Sequence, residues 1–226
     1  TVFLYGAAHF TGFNLTLATL PSGVPVNVTA ILGVAGTVLA FALFVCTGMI
    51  YACLRFLQEW HTPLTVINYT LLGGASGFVL ATALAAPEVT RFSAGWAMIL
   101  TLLALIGRVA SLLRNARLKP KSTLRTAIGV KHPRIAQKAQ GAMGGSFNTR
   151  EFFHGRSAAF LRQVKWIFLL LTFPLPLGLL AGGAATGAAA LLLAAFAVQY
   201  LGLLAERWFF FAQANHPQNL YYQVIS

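Results

Sequence analysis

The chain runs to 226 residues, 58% of them hydrophobic and only 9% charged, with a mean hydropathy of +0.73. Soluble domains carry about 25% charged residues, and four acidic side chains cannot help build a solvated shell, so an ordinary water-soluble domain is excluded. The formal net charge of +12 would point to nucleic acid in a soluble protein; in a membrane protein the same excess records topology, and the position of the charges must decide.

Thr1 to Ala8 read like the end of a hydrophobic segment, without the basic n-region or cleavage site of a signal peptide. The expectation is an N-terminally incomplete chain, with residues 1–20 as a partial span ending before Pro21-Ser22-Gly23. A helix needs about 20 apolar residues to cross the hydrocarbon core. Segments of that kind run from about Val28 to Leu54, Leu64 to Ala86, Ala94 to Leu113, Trp166 to Ala181 and Ala185 to Ala212. The last two form one apolar tract, with the break expected at Gly182-Gly183. Pro174 and Pro176 should kink the fourth span and free carbonyl groups. Gly73–Gly77 and Gly178–Gly182 have the small-residue spacing that permits close helix packing. The predicted fold class is all-α: a polytopic transmembrane helix bundle of five complete spans plus a partial N-terminal one.

Between Arg114 and Lys165 lie 12 of the 16 basic residues, against one acid, Glu151. Cytoplasmic loops retain Lys and Arg, so this loop is expected inside a bacterial inner (cytoplasmic) membrane. Counting spans outward places the 55–63 connection and the C-terminal tail on the same side. Pro87–Ser93 and the turn near Gly183 then fall outside. The organisation is thus membrane helices over 1–113, a basic cytoplasmic loop over 114–165, two further spans over 166–212, and a tail over 213–226. Within the loop, Asn148-Thr149-Arg150-Glu151 resembles a helix cap. A helix from there through Phe152, Phe153, Phe160 and Leu161 would lie at the membrane interface before turning into the fourth span. The loop can be a solvated face touching lipid headgroups or a docking surface; its varied sequence favours docking.

Ionisable residues inside spans are costly and each is a functional candidate. Glu206-Arg207 lies in the fifth span, and neighbours on a helix point about 100° apart, so each is free to meet another helix. Arg108, late in the third span, is the expected partner of Glu206. Tyr51, Arg55, Glu59, Trp60 and His61 cluster at the inside end of the first span, where Tyr51 and Trp60 suit a headgroup belt. Cys46 and Cys53 are seven apart, too far along a helix for a disulfide, and read as small buried hydrophobes. Of the five histidines only His9 could lie in a span, which argues against a bis-His haem. No cysteine cluster for iron–sulfur or zinc is present, nor a phosphate loop, HExxH or nucleophile elbow.

Two stretches resemble the membrane anchor subunit of dimethyl sulfoxide reductase: Cys46-Thr47-Gly48-Met49-Ile50-Tyr51-Ala52 with Trp60-His61-Thr62-Pro63, and Ala205-Glu206-Arg207-Trp208 through Asn215-His216-Pro217-Gln218-Asn219-Leu220-Tyr221-Tyr222. Lys119-Pro120-Lys121-Ser122-Thr123 and Phe147-Asn148-Thr149-Arg150-Glu151-Phe152-Phe153-His154-Gly155 look like the subset that includes sulfite dehydrogenase membrane subunits. The resemblance implies an eight-helix anchor with no haem or iron–sulfur cluster of its own. Such an anchor holds an iron–sulfur electron-transfer subunit and a molybdopterin catalytic subunit and exchanges electrons with menaquinone or ubiquinone. The His and Glu that serve quinol oxidation on the family's early helices have no matching positions, because the chain would begin near the end of the third helix. Glu206 and Arg207 match the acid–arginine pair of the last helix. Arg108, Tyr51, Arg55 and His61 fall on the same inside half as that pair, so the expected quinone site is Glu206, Arg207, Arg108, Tyr51, Arg55 and His61. Lys119, Lys121, Arg125, Lys131, Arg134 and Arg150 are expected to dock the iron–sulfur subunit, with no catalytic residue, no metal ligand and no nucleic acid. A secondary transporter or channel subunit is the alternative, suggested by the kinked span and intramembrane charges, although no internal repeat supports it.

Overall fold

The structure is a computed structural model that describes residues 1–119, 121, 123–132, 134–135 and 156–215. The chain divides into two compact units, Thr1–Thr47 and Gly48–Ser226. In the first, a short helix α1 (Val2–Phe10) is followed by an antiparallel hairpin of β1 (Thr16–Thr19) and β2 (Pro25–Asn27), which leads directly into α2 (Val28–Ala52). The expected partial span over residues 1–20 is thus cut at Phe10. Gly12 takes a left-handed φ of 70°, which ends the helix, and the Asn14 carboxamide oxygen then accepts from Thr29 N (3.2 Å) and Thr29 Oγ1 (2.8 Å), tying the loop to the start of α2.

The second unit holds the end of α2 and α3 (Pro63–Leu84), α4 (Pro87–Ala116), α5 (Leu124–Ile128), α6 (Ala158–Thr172), α7 (Pro174–Thr186) and α8 (Ala189–Ala212). Among the described residues, five stretches are long and apolar enough to cross a membrane: Val28–Ala52, Pro63–Leu84, Pro87–Ala116, Ala158–Thr186 and Ala189–Ala212. The protein is an all-α membrane bundle, its described residues otherwise carrying only the small hairpin. In the second unit α3 packs on α4 and α8, while α6 and α7 both pack on α8.

The bundle hides its small and polar residues and turns its large apolar ones outward. Along α4 the buried positions are Ser93, Ala94, Ala97, Thr101, Ala104, Gly107, Arg108 and Ser111, whereas Ile99, Leu102, Leu103 and Ile106 are exposed. Lipid tails are as apolar as leucine, so association rests on close packing and internal hydrogen bonds rather than on escape from water. At Gly202 an added Cβ would lie 2.6 Å from both Thr172 N and Thr172 Oγ1, so α6 and α8 can approach this closely only over a glycine. Gly183 is equally tight against Leu192, with 2.5 Å left for a Cβ. Gly77 and Gly178, two of the positions expected to pack closely, face open space.

Several boundaries differ from those expected. The tract over 158–186 breaks where Pro174 begins α7, at Phe173 (φ −118°, ψ −79°). Pro176 has no N–H for the Thr172 carbonyl one turn back, and Gln199 Nε2 on α8 donates to that carbonyl instead, at 3.3 Å. The turn into α8 falls at Gly187 (φ 72°) and not at Gly182-Gly183, because Gly183 is occupied as a helix contact. The fourth span begins at Ala158, capped by Ser157 Oγ accepting from Phe160 N at 3.2 Å. Phe160 and Leu161 therefore belong to the spanning helix itself and not to a separate interfacial one. The expected cap at Asn148–Glu151, with Phe152 and Phe153, lies outside the described residues. Cys46 and Cys53 are free and exposed, a correction to the buried reading, since α2 buries only Gly48.

Candidate functional site

Three charged residues of the bundle, Arg108, Glu206 and Arg207, converge on one cluster. Glu206 on α8 is fully buried, and its two carboxylate oxygens are divided between two arginines. Arg108 Nε on α4 lies 2.7 Å from Oε1. Arg207 donates to Oε2 through Nε at 2.6 Å and Nη2 at 2.5 Å. Adjacent residues diverge around a helix, yet the arginine side chain is long enough to fold back, so Glu206 serves both partners. Two cations share one anion, and the surplus positive charge rests on ring faces. The Arg207 guanidinium sits 4.2 Å from the Tyr69 ring centre and 5.0 Å from that of Phe210; Arg108 lies 5.3 Å from Phe168 and 5.8 Å from Phe209.

Exposure separates the members. The side chains of Arg108 and Glu206 are 3% and 0% exposed, but that of Arg207 is 28% exposed. Around them lies a narrow cleft lined by residues that include Glu59, Asn68, Ser111, Asn115 and Gln213. It leaves only about 10 Å³ for the centre of a water molecule, enough for one water and far too little for an aromatic headgroup or a transported solute.

The 53–62 connection closes one end of the cluster. Trp60 is 2% exposed, stacks on Phe210 with centroids 5.0 Å apart, and donates from Nε1 to the Phe210 carbonyl at 3.0 Å. Tyr51 packs edge-on to Trp60 and Phe210 and stacks on Tyr69 at 5.6 Å. These rings form a core, which corrects the expectation of a headgroup belt: the indole N–H finds its acceptor inside the protein. Arg114 at the end of α4 holds the same connection, donating to Gln58 O at 3.0 Å and His61 O at 3.4 Å. Glu59 is pushed above the ordinary carboxylate value chiefly by burial, with backbone N–H groups of Glu59 and Asn215 and the charge of Arg114 pulling the other way.

The sequence places the chain among known proteins. The model of the DMSO reductase anchor subunit (DmsC) family matches residues 4–143. The chain belongs to that family. The C subunit of sulfite dehydrogenase from Allochromatium vinosum is 56% identical over 229 residues, an alignment covering 100% of this chain and 70% of the relative. No solved structure matches. As an anchor of this family, the chain is a multi-pass membrane protein that associates with the catalytic subunits of an oxidoreductase complex.

Of the residues expected at an anchor's quinone site, the structure brings Glu206, Arg207 and Arg108 together, with Tyr51 one ring removed. Arg55 is exposed and does not line the cleft. His61 is also exposed; its ring Nδ1 lies 2.6 Å from the Ala52 carbonyl, and it serves the connection's own geometry. Lys119, Lys121, Arg125, Lys131 and Arg134 are all exposed, on and around α5, while Arg150 lies outside the described residues. Tyr69, Asn68 and Ser111 escaped the sequence reading, as did Glu59 as a lining residue. A signal was present. Gln199, Glu206 and Gln213 recur every seven residues on α8 and at its end, and so do Thr101, Arg108 and Asn115 on α4, which marks one polar stripe down each of two apolar helices.

Proposed function

We propose that the chain anchors a molybdopterin oxidoreductase of the sulfite dehydrogenase type to the bacterial inner membrane. In this reading it docks an iron–sulfur subunit on its basic cytoplasmic side and exchanges electrons with the quinone pool. The similarity along the whole chain to a protein named as part of a sulfite dehydrogenase supports the enzyme class. The exposed basic residues around α5 support the docking side, because loops of this charge stay cytoplasmic.

The observation that carries the quinone assignment is the unequal exposure of the three charges. The cleft is too small for a quinone ring, so the ring does not enter between Arg108 and Glu206. Arg207 alone keeps part of its side chain accessible, beside Tyr69, and is the residue that would donate a hydrogen bond to a quinone carbonyl. A bound quinone supplies a carrier of two electrons and two protons. Glu206 behind Arg207 fixes that guanidinium through two contacts, and Arg108 fixes Glu206. A fixed cation suits an oxygen on which negative charge develops.

The test is to compare Arg207→Gln with wild type in the intact complex, measuring turnover linked to a soluble quinone analogue and turnover with an artificial electron acceptor. The ratio of the quinone-linked rate to the artificial one should fall by about a hundredfold or more, the loss expected for one preorganised donor. An unchanged ratio in a normally assembled complex would remove the assignment.

A further inference from the structure

The cleft joins two carboxylates in different environments. Glu206 is sealed within the membrane part of the bundle. Glu59 lies outside the spans, in the connection between α2 and α3, and both line the same narrow space. Between them stand Asn68 from α3 and Ser111 from α4, whose hydroxyl accepts from Asn68 Nδ2 at 2.7 Å. Glu59 Oε2, Asn68 Oδ1, Arg108 Nη2, Arg207 Nη1 and Gln213 Nε2 are buried with no hydrogen-bond partner among the described residues. Orphaned polar atoms normally cost stability and are rare. Five of them around one cleft mean that the space is shaped for a polar, exchangeable occupant.

The same stripe stops abruptly. Gln199 donates weakly to Thr101 Oγ1, at 3.4 Å, and beyond it α3, α4, α7 and α8 meet in an apolar layer of Val79, Ala97, Leu180, Leu192 and Ala195. Polar lining therefore opens toward the connection that carries Glu59 and is closed toward the opposite face. A path that served helix packing alone would need no such direction.

We infer that the cleft is a one-sided proton path, with Glu59 exchanging protons with the aqueous phase and Ser111 and one water, positioned by Asn68, relaying them toward Arg207, while Glu206 serves as the shared counter-charge of both arginines. The inference rests on the quinone reading above. Each quinone reduced takes up two protons and two electrons, the electrons arriving from an iron–sulfur partner; quinol oxidation returns both. Proton transfer here breaks one O–H bond and forms another with no change of oxidation state in the protein. A serine hydroxyl can accept and donate at once, which an apolar or purely cationic lining cannot. Burial raises Glu59 above the ordinary carboxylate value, the direction that suits a proton-exchanging carboxyl. The charged and polar groups facing it are Arg114 from α4 and the Asn215 backbone beyond α8, with the buried Glu206, Arg207 and Arg108 further along the cleft.

The experiment uses the complete complex in membranes, with Glu59→Gln, Asn68→Leu and Glu59→Asp. Glu59→Gln should lower the ratio of quinone-linked to artificial-acceptor turnover by about a hundredfold, the lower end of what a positioned proton-transfer group contributes, and Asn68→Leu, which removes the group that positions Ser111, should lower it too. The quinone-linked pH profile should lose one titration step in Glu59→Gln, and Glu59→Asp should restore most of the rate. Infrared spectra of the complex without added quinone should show a protonated carboxyl band that titrates with pH and is absent from Glu59→Gln. Wild-type ratios and pH profiles in both variants would overturn the path. If wild type itself shows no quinone-linked turnover, the quinone reading falls instead, and the infrared band remains the test of Glu59.

Discussion

Removing the shared anion should harm the bundle more than removing either cation. Glu206 is fully buried between Arg108 and Arg207, so the trio carries one surplus positive charge. Glu206→Gln leaves the buried Arg108 and the part-exposed Arg207 facing each other with no counter-charge, and losing the partner of a buried charge costs about 3–5 kcal/mol. Arg108→Leu has the opposite effect on the count. It leaves the Glu206–Arg207 pair electrically balanced and replaces a desolvated cation, packed against Phe168 and Phe209, with a side chain suited to those rings. That substitution should cost about 1 kcal/mol, since trading a buried ion for an apolar residue is often near neutral. In the double variant only Arg207 remains, part-exposed and resting on Tyr69, so its cost should fall short of the sum of the singles by about 2 kcal/mol. The assay is a double-mutant cycle on the purified complex, following loss of helical structure in rising SDS, with the amount of chain retained in membranes as a second readout. Equal costs for the two single variants, or additive costs in the double, would refute the charge accounting.

Other outcomes follow from individual contacts. Gly202→Ala forces a methyl group to within 2.6 Å of Thr172 N, so α6 and α8 must separate; a cost of about 1–3 kcal/mol should appear as lower accumulation in membranes. Gln199→Leu deprives the Thr172 carbonyl of its donor and should cost about 1 kcal/mol, whereas in a Pro176→Ala background that returns the helical N–H the penalty should shrink. Glu59 gives a pH signature whose sign is fixed: its folded value lies above 4.5, so the stability it contributes is present at low pH and is lost as pH rises through the folded value. Glu59→Gln should accordingly stabilise the complex relative to wild type increasingly as pH climbs above about 4.5, even as it slows quinone-linked turnover. A thermal melt that shows no pH-dependent difference between the two would contradict the burial of this carboxyl. Replacing Lys119, Lys121 and Arg125 by Glu should release the iron–sulfur subunit into the soluble fraction, as tracked by iron content; retention would move the docking surface elsewhere.

The spans were legible because they follow from simple physics: the length of an apolar run. The ends were less so. Pro174 was readable as a kink, yet the turn before α8 fell at Gly187 because Gly183 was needed for helix contact, a tertiary demand that no local pattern displays. The hairpin at 16–27 was hidden for the opposite reason. Its residues are apolar enough to pass for membrane, and only Gly12, Asn14 and Gly23 mark the turns. At the site, the pairing of Arg108 with Glu206 could be anticipated from their depth in the spans. That Arg207 would curl back onto the same carboxylate could not, since it depends on side-chain reach and on Tyr69 offering a face. Trp60 misled because a tryptophan near a span end usually anchors at headgroups; here the folded-in connection supplies an acceptor at Phe210. Glu59 was legible only as one of the polar residues after the first span and Asn68 not at all; that both line one cleft emerged only when three helices met.

The proposed role requires, before anything else, that this chain hold a molybdenum enzyme at the membrane. Isolating the chain by an affinity tag in mild detergent and measuring molybdenum and iron against protein addresses that requirement directly. Both metals should stay in constant ratio to the chain through successive purification steps. A stably folded chain that purifies without either metal from cells in which the complex is active would contradict the role.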